Sequence, residues 1–143
     1  MKKAILALAS LSFLAVAGTT QAVQSVKLDT PLEIYVTACT TLQKTWDINS
    51  SQRKALLTDS EETLNSHCHS VFTATLQLTE LGKDSKAFSR ICIPSGTSNK
   101  QVLDKILVVL KKYGSTPEWK NMQPAIATVV ALEVVYQCKG SKL

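Results

Sequence analysis

The sequence predicts an all-α fold, a compact bundle of about four main helices stapled by two disulfides. Three observations predict it. Apolar residues recur at helical spacing along most of the 143-residue chain. Capping residues, prolines and glycines bound the periodic stretches. Four cysteines, an even number, lie within or beside those stretches.

The first 22 residues are read apart from the fold. Met1-Lys2-Lys3 is a positive start, Ala4 to Ala17 is an uncharged, largely apolar run, and Thr20 and Ala22 occupy the −3 and −1 positions of a cleavage site. This is the layout of a secretory signal peptide. The run is too short to span a bilayer comfortably. An earlier cut after Ala17 is the alternative. The expected product is a single domain, residues 23–143, exported to the periplasm and free of the membrane after cleavage. Losing Lys2 and Lys3 lowers the formal charge of +5 by two, to +3. The remaining excess is scattered, with no basic cluster, and does not suit a nucleic-acid partner.

The first helix opens at Asp29 or Thr30 with Pro31 in its first turn. Leu32, Tyr35, Val36, Cys39, Leu42 and Trp46 form one stripe, and Asp47 to Ser51 end it. The second opens at Thr58-Asp59-Ser60-Glu61-Glu62, where cap candidates precede acids. Its expected stripe is Leu64, Cys68, Val71, Thr75 and Leu78, with Phe72 and Leu81 at the margin, and Gly82 stops it. Residues 83–98 form a loop too apolar to float free, since it carries Phe88, Ile91, Cys92 and Ile93.

The third helix takes Thr97 or Ser98 as its cap. Val102, Leu103, Ile106, Leu107, Val109, Leu110 and Tyr113 make a wide apolar face, closed by Lys111-Lys112 and by Gly114 as a left-handed stop. Residues 114–121 form a turn. The fourth helix follows Pro124 and carries Ala125, Ile126, Val129, Val130, Val134 and Tyr136, ending at Cys138. Its β-branched content competes for strand, but Pro124 and the i, i+4 rows favour helix.

The cysteine spacings are 29, 24 and 46 residues, with no Cys-x-x-Cys and no histidine pair at ligand distance, so zinc is not expected. Of the three possible pairings, the stripes favour one. Cys39 and Cys68 lie mid-stripe on consecutive, antiparallel helices. Cys92 stands at the entrance of the third helix and Cys138 at the exit of the fourth, which an antiparallel hairpin brings together.

His67-Cys68-His69 resembles a metal or thiol cluster in one dimension only. Adjacent helical side chains point about 100° apart and do not converge on one ion. Glu61 and Glu62 suit a helix start, and a lone Glu133 does not make a catalytic pair. No set of residues assembles into a reaction, so the chain reads as a binding module, not an enzyme, with no cofactor and no metal. Two turns are the candidate contacts, residues 83–90 and residues 114–121; the second carries Trp119 between Glu118 and Lys120, read either as an aromatic anchor with charges able to form a polar rim or as a ring packed under the turn.

One further pattern joins these residues. Ile91-Cys92-Ile93-Pro94 precedes a helix containing Gln101, then come Pro117-Glu118 and an Ala131-Leu132 helix ending in Cys138. Preceded by a signal peptide and by Cys39 and Cys68, this resembles the Rap/Tai-type periplasmic immunity proteins, which neutralise peptidoglycan amidase effectors of type VI secretion systems. The likeness is concentrated in residues 88–138. It implies an all-helical disulfide-bonded domain, often a homodimer, whose partner is a cognate amidase effector. The competing expectation is a periplasmic stress chaperone, which would open reversibly in acid to expose apolar surface.

Overall fold

The computed structural model describes residues 30–86 and 88–138. The expected signal peptide, residues 1–22, lies outside them. Five helices follow in order: α1 (Pro31–Thr45), α2 (Ser50–Leu56), α3 (Asp59–Leu81), α4 (Asn99–Tyr113) and α5 (Pro124–Val135). The four expected helices are α1, α3, α4 and α5. The short α2 is an addition, capped by Asn49, whose Oδ1 accepts the Gln52 N–H at 2.9 Å. It buries little apolar surface, so no hydrophobic stripe announces it.

Helix starts follow the sequence signals closely. Thr30, Thr58 and Ser98 each form a reciprocal capping box, with Glu33, Glu61 and Gln101 respectively. Pro31 and Pro124 sit in the first turns of α1 and α5. The helix ends differ from expectation. Gly82 and Gly114 have φ of −95° and −59°, so neither is the left-handed stop expected of Gly114. The absent side chain is used for close approach. A Cβ at Gly82 would overlap the Phe88 ring, and one at Gly114 would overlap the Leu110 carbonyl oxygen. Among the described residues the left-handed position is Gly96, φ 80°.

Helix α1 is the hub. The Cys39–Cys68 disulfide and the Thr45–Asn65 hydrogen bond run in opposite directions along α1 and α3, which are therefore antiparallel. Gln43 Nε2 donates to Asp104 Oδ1 at 2.8 Å, and Lys100 Nζ lies 3.2 Å from Asp47 Oδ2, joining the end of α1 to the start of α4. The Cys92–Cys138 disulfide ties the approach to α4 to the exit of α5, as an antiparallel pair requires, and Lys105 Nζ at the middle of α4 lies 5.2 Å from the Tyr136 ring centroid. The core between these helices holds Leu32, Tyr35, Phe72, Leu103, Ile106, Leu107, Leu110 and Leu132.

Two expected faces are corrected. On α3 the buried residues are Asn65, Cys68, Phe72, Thr75 and Thr79, at spacings of three and four. Leu78 and Leu81 are exposed. Threonine tolerates the core because its hydroxyl bonds within its own helix: Thr75 Oγ1 donates to Val71 O and Thr79 Oγ1 to Thr75 O, both at 2.8 Å. On α5 the buried residues are Ala127, Thr128, Ala131 and Leu132, while Ala125, Ile126 and Val134 face solvent. Alanines let α5 approach its neighbours closely, and a helix apolar all round carries no readable face.

Both expected disulfides form, Cys39–Cys68 from the facing stripes and Cys92–Cys138 from the hairpin ends. The second closes a small antiparallel junction. Ile91 pairs with Gln137, Cys92 N–H donates to Tyr136 O at 2.7 Å, and Cys138 N–H donates to Arg90 O at 2.9 Å. The loop before α4 packs on the bundle through Ile91 and Ile93. Such cross-links place the fold in an oxidising compartment outside the cytoplasm.

Candidate functional site

The turn between α4 and α5 is a wound segment, not a loose loop. Thr116 N–H donates to Tyr113 O at 2.8 Å, Lys120 N–H to Thr116 O at 2.9 Å, and Met122 N–H to Trp119 O at 2.7 Å. These bonds fix where Trp119 stands. Its ring stacks on Tyr113, centroids 5.7 Å apart and 27° between planes, and it is half-buried against the core. Lys112 Nζ lies 4.9 Å from the Tyr113 ring centroid, so a cation caps the aromatic pair. Glu118 and Lys120 are exposed on either side. The structure thus brings all three residues to one turn, with Trp119 braced from beneath rather than standing free.

The other turn, residues 83–90, begins with Lys83 paired to Glu80 at 3.1 Å on the surface. Phe88 folds back toward Gly82, which spends its one aromatic group on packing. Between the end of α3, residues 91–97 and the start of α4 lies an open groove of about 550 Å³. Leu76, Ile91, Ile93 and Val102 give it apolar walls, and Glu80 and Lys83 stand at its edge. The exposed Cys92 belongs to the same wall.

His67 and His69 are both exposed. His67 meets Tyr35 edge-on at 6.1 Å, and His69 lies 6.2 Å from the Trp46 ring. Cys68 between them is fully buried in its disulfide. The three side chains therefore leave the helix separately, as helical geometry requires.

Two polar features were not anticipated from the sequence. Thr128 Oγ1 has two acceptors for its one hydrogen deep in the core, Tyr35 OH at 3.0 Å and Pro124 O at 2.8 Å, and it serves one at a time. Burial pushes the Tyr35 phenol up to about 12, and the Thr128 bond offsets only part of that. Asn65 is buried within α3. Its position three residues before Cys68, at the head of the 65, 68, 72, 75, 79 series, was the available signal.

No known protein family, curated protein or solved structure matches the chain.

Proposed function

We propose that this protein is a periplasmic immunity protein that binds a peptidoglycan amidase effector of a type VI secretion system and blocks its cleft. The observation that carries the reading is the wound turn at 114–121, where Trp119 is braced on Tyr113 and rimmed by Glu118 and Lys120. An inhibitor gains affinity when its contact surface is already ordered, because little conformational freedom is lost on docking. Two disulfides and an internally hydrogen-bonded turn supply that order here. The amphipathic Trp side chain with charges at its margin suits the centre of a protein–protein contact.

The two disulfides suit an oxidising compartment such as the one in which a cell-wall amidase acts, and the leader-type start of the sequence supports export. The identity of the partner rests on the resemblance carried by Ile91-Cys92-Ile93-Pro94, Gln101, Pro117-Glu118 and the closing Cys138. A cellular test is direct. Cells exporting the amidase encoded beside this gene should lyse, and co-export of this protein should prevent lysis. Lysis that proceeds unchanged when the protein has accumulated would count against the reading.

A further inference from the structure

A cleft of about 310 Å³ lies where the end of α1, the short α2 and the start of α3 meet, lined by Leu42, Arg53, Asn65, Ser66, His69 and Ser70. Two polar atoms of these lining residues lack partners. Asn65 is 4% exposed and its Oδ1 accepts nothing. The Nε–H of Arg53, likewise shielded from solvent, donates to nothing.

The orientation of Asn65 follows from its neighbour. Thr45 Oγ1 uses its hydrogen on the Thr41 carbonyl at 3.0 Å, so toward Asn65 it can only accept. The group facing it at 3.2 Å must therefore be Nδ2, which leaves the carbonyl oxygen of Asn65 as the open acceptor. The Arg53 guanidinium is held by one hydrogen bond, from Nη2 to the Ile48 carbonyl at 2.9 Å. It makes no ion pair with a carboxylate among the described residues. Burying an unmet donor and an unmet acceptor costs free energy that a suitable partner would recover.

We infer that this cleft between α1, α2 and α3 is a recognition site for an amide group, whose N–H is accepted by Asn65 Oδ1 and whose carbonyl accepts from Arg53 Nε–H. A carboxylate satisfies Arg53 but sets negative charge against the Asn65 oxygen. An amine satisfies Asn65 but repels Arg53. An amide alone of these three carries both complements. Leu42 supplies an apolar wall for the carbon stem, and Ser66 and Ser70, one helical turn apart and exposed, offer hydroxyls at the mouth. Both unmet atoms are shielded from solvent, so binding requires the Arg53 side chain, held by its one hydrogen bond to the Ile48 carbonyl, to move aside. The amide comes from a side-chain carboxamide or from a peptide backbone.

This site stands independently of the inhibitor reading, because small amides test it without any protein partner. The experiment titrates the isotopically labelled protein with isobutyramide, N-methylacetamide and isobutyrate and follows amide and side-chain NH2 resonances. Isobutyramide or N-methylacetamide should shift Asn65, Ser66 and Ser70 saturably. The tighter of the two identifies a side-chain or a backbone source. Isobutyrate should bind about tenfold more weakly, the discrimination of roughly one hydrogen bond. Asn65→Leu should abolish the preference for amide over carboxylate. Arg53→Leu, on the short α2, should abolish it as well, with circular dichroism showing the helices intact. Saturation by neither amide, equal binding of isobutyrate, or a bound water in the cleft that no amide displaces would overturn the inference.

Discussion

Cys92 and Cys138 are joined at the surface, with Cys92 exposed, whereas Cys39 and Cys68 are joined with no exposure of either residue. Thiol–disulfide exchange needs a thiolate to reach a sulfur. Limited reduction of the native protein followed by alkylation and peptide mapping should therefore label Cys92 and Cys138 first. Cys39 and Cys68 should be labelled only as the fold opens. Equal labelling of both pairs under native conditions would contradict this placement. Loss of either bond by paired Cys→Ser replacement should cost about 2–5 kcal/mol in a domain of this size.

Gly114 is buried and shows how a helix end can be misread from its residue type. Its φ of −59° is open to any residue, so strain is not the issue. A methyl group would meet the Leu110 carbonyl oxygen and, more loosely, Leu32 Cδ2 at 3.7 Å. Gly114→Ala should lower stability by about 1–3 kcal/mol, as overpacking against a backbone atom does. At Gly96 a Cβ has open space, but the φ of 80° strains any L residue by about 1–2 kcal/mol. Denaturant unfolding of Gly114→Ala and Gly96→Ala measures both costs. An unchanged midpoint for Gly114→Ala would show that the end of α4 yields freely.

Helix starts were legible because their signals are local: a hydroxyl or amide, then a glutamate or glutamine three residues on, as at Thr30, Thr58 and Ser98. The disulfide pairing was legible because Cys39 and Cys68 mark their stripes and Cys92 and Cys138 mark hairpin ends. The inward faces of α3 and α5 were not. On α3, hydropathy alone prefers Leu78 to Thr79, whereas threonine enters the core by bonding its own helix. On α5, neighbours all round are apolar, so only tertiary packing selects Ala127 and Ala131 over Ile126 and Val134. The 114–121 turn was legible as a turn, but the Tyr113–Trp119 stack joins two elements and has no sequence period. The Asn65 cleft depends on a donor assignment at Thr45, which only the packed helices define.

Tyr35 makes stability depend on pH at the alkaline end. Its phenol is raised in the fold to about 12 from an ordinary value of 10.0. Below the unfolded value both states hold the proton and the full stability is present. Above it the unfolded chain releases the proton first, and stability falls until the folded pKa is passed. The loss between roughly pH 10 and 12 should be on the order of 2–3 kcal/mol. Tyr35→Phe should flatten that part of the profile while leaving Thr128 bonded to Pro124. Chemical denaturation at a series of alkaline pH values tests it, and an unaltered profile in the variant would assign the loss elsewhere.

Trp119→Ala should weaken inhibition of the partner amidase by about 2 kcal/mol or more if the turn is the contact. Because Trp119 also packs on Tyr113, circular dichroism must show the helices intact. Lys120→Glu, at an exposed position, separates the two roles. It should leave the melting temperature unchanged and slow association, since a rim charge acts mainly on the approach. Normal inhibition by folded forms of both variants would move the contact to the 83–90 turn.

The central proposal is that the bundle inhibits a neighbouring wall-degrading amidase. The most direct measurement is calorimetric titration of the exported protein into the amidase encoded beside its own gene, with residual peptidoglycan cleavage followed in parallel. The two proteins should form a stoichiometric complex with a Kd on the order of nanomolar or tighter, near −12 kcal/mol, and cleavage should be lost in step with binding. No heat of binding and full cleavage at equimolar protein would contradict it.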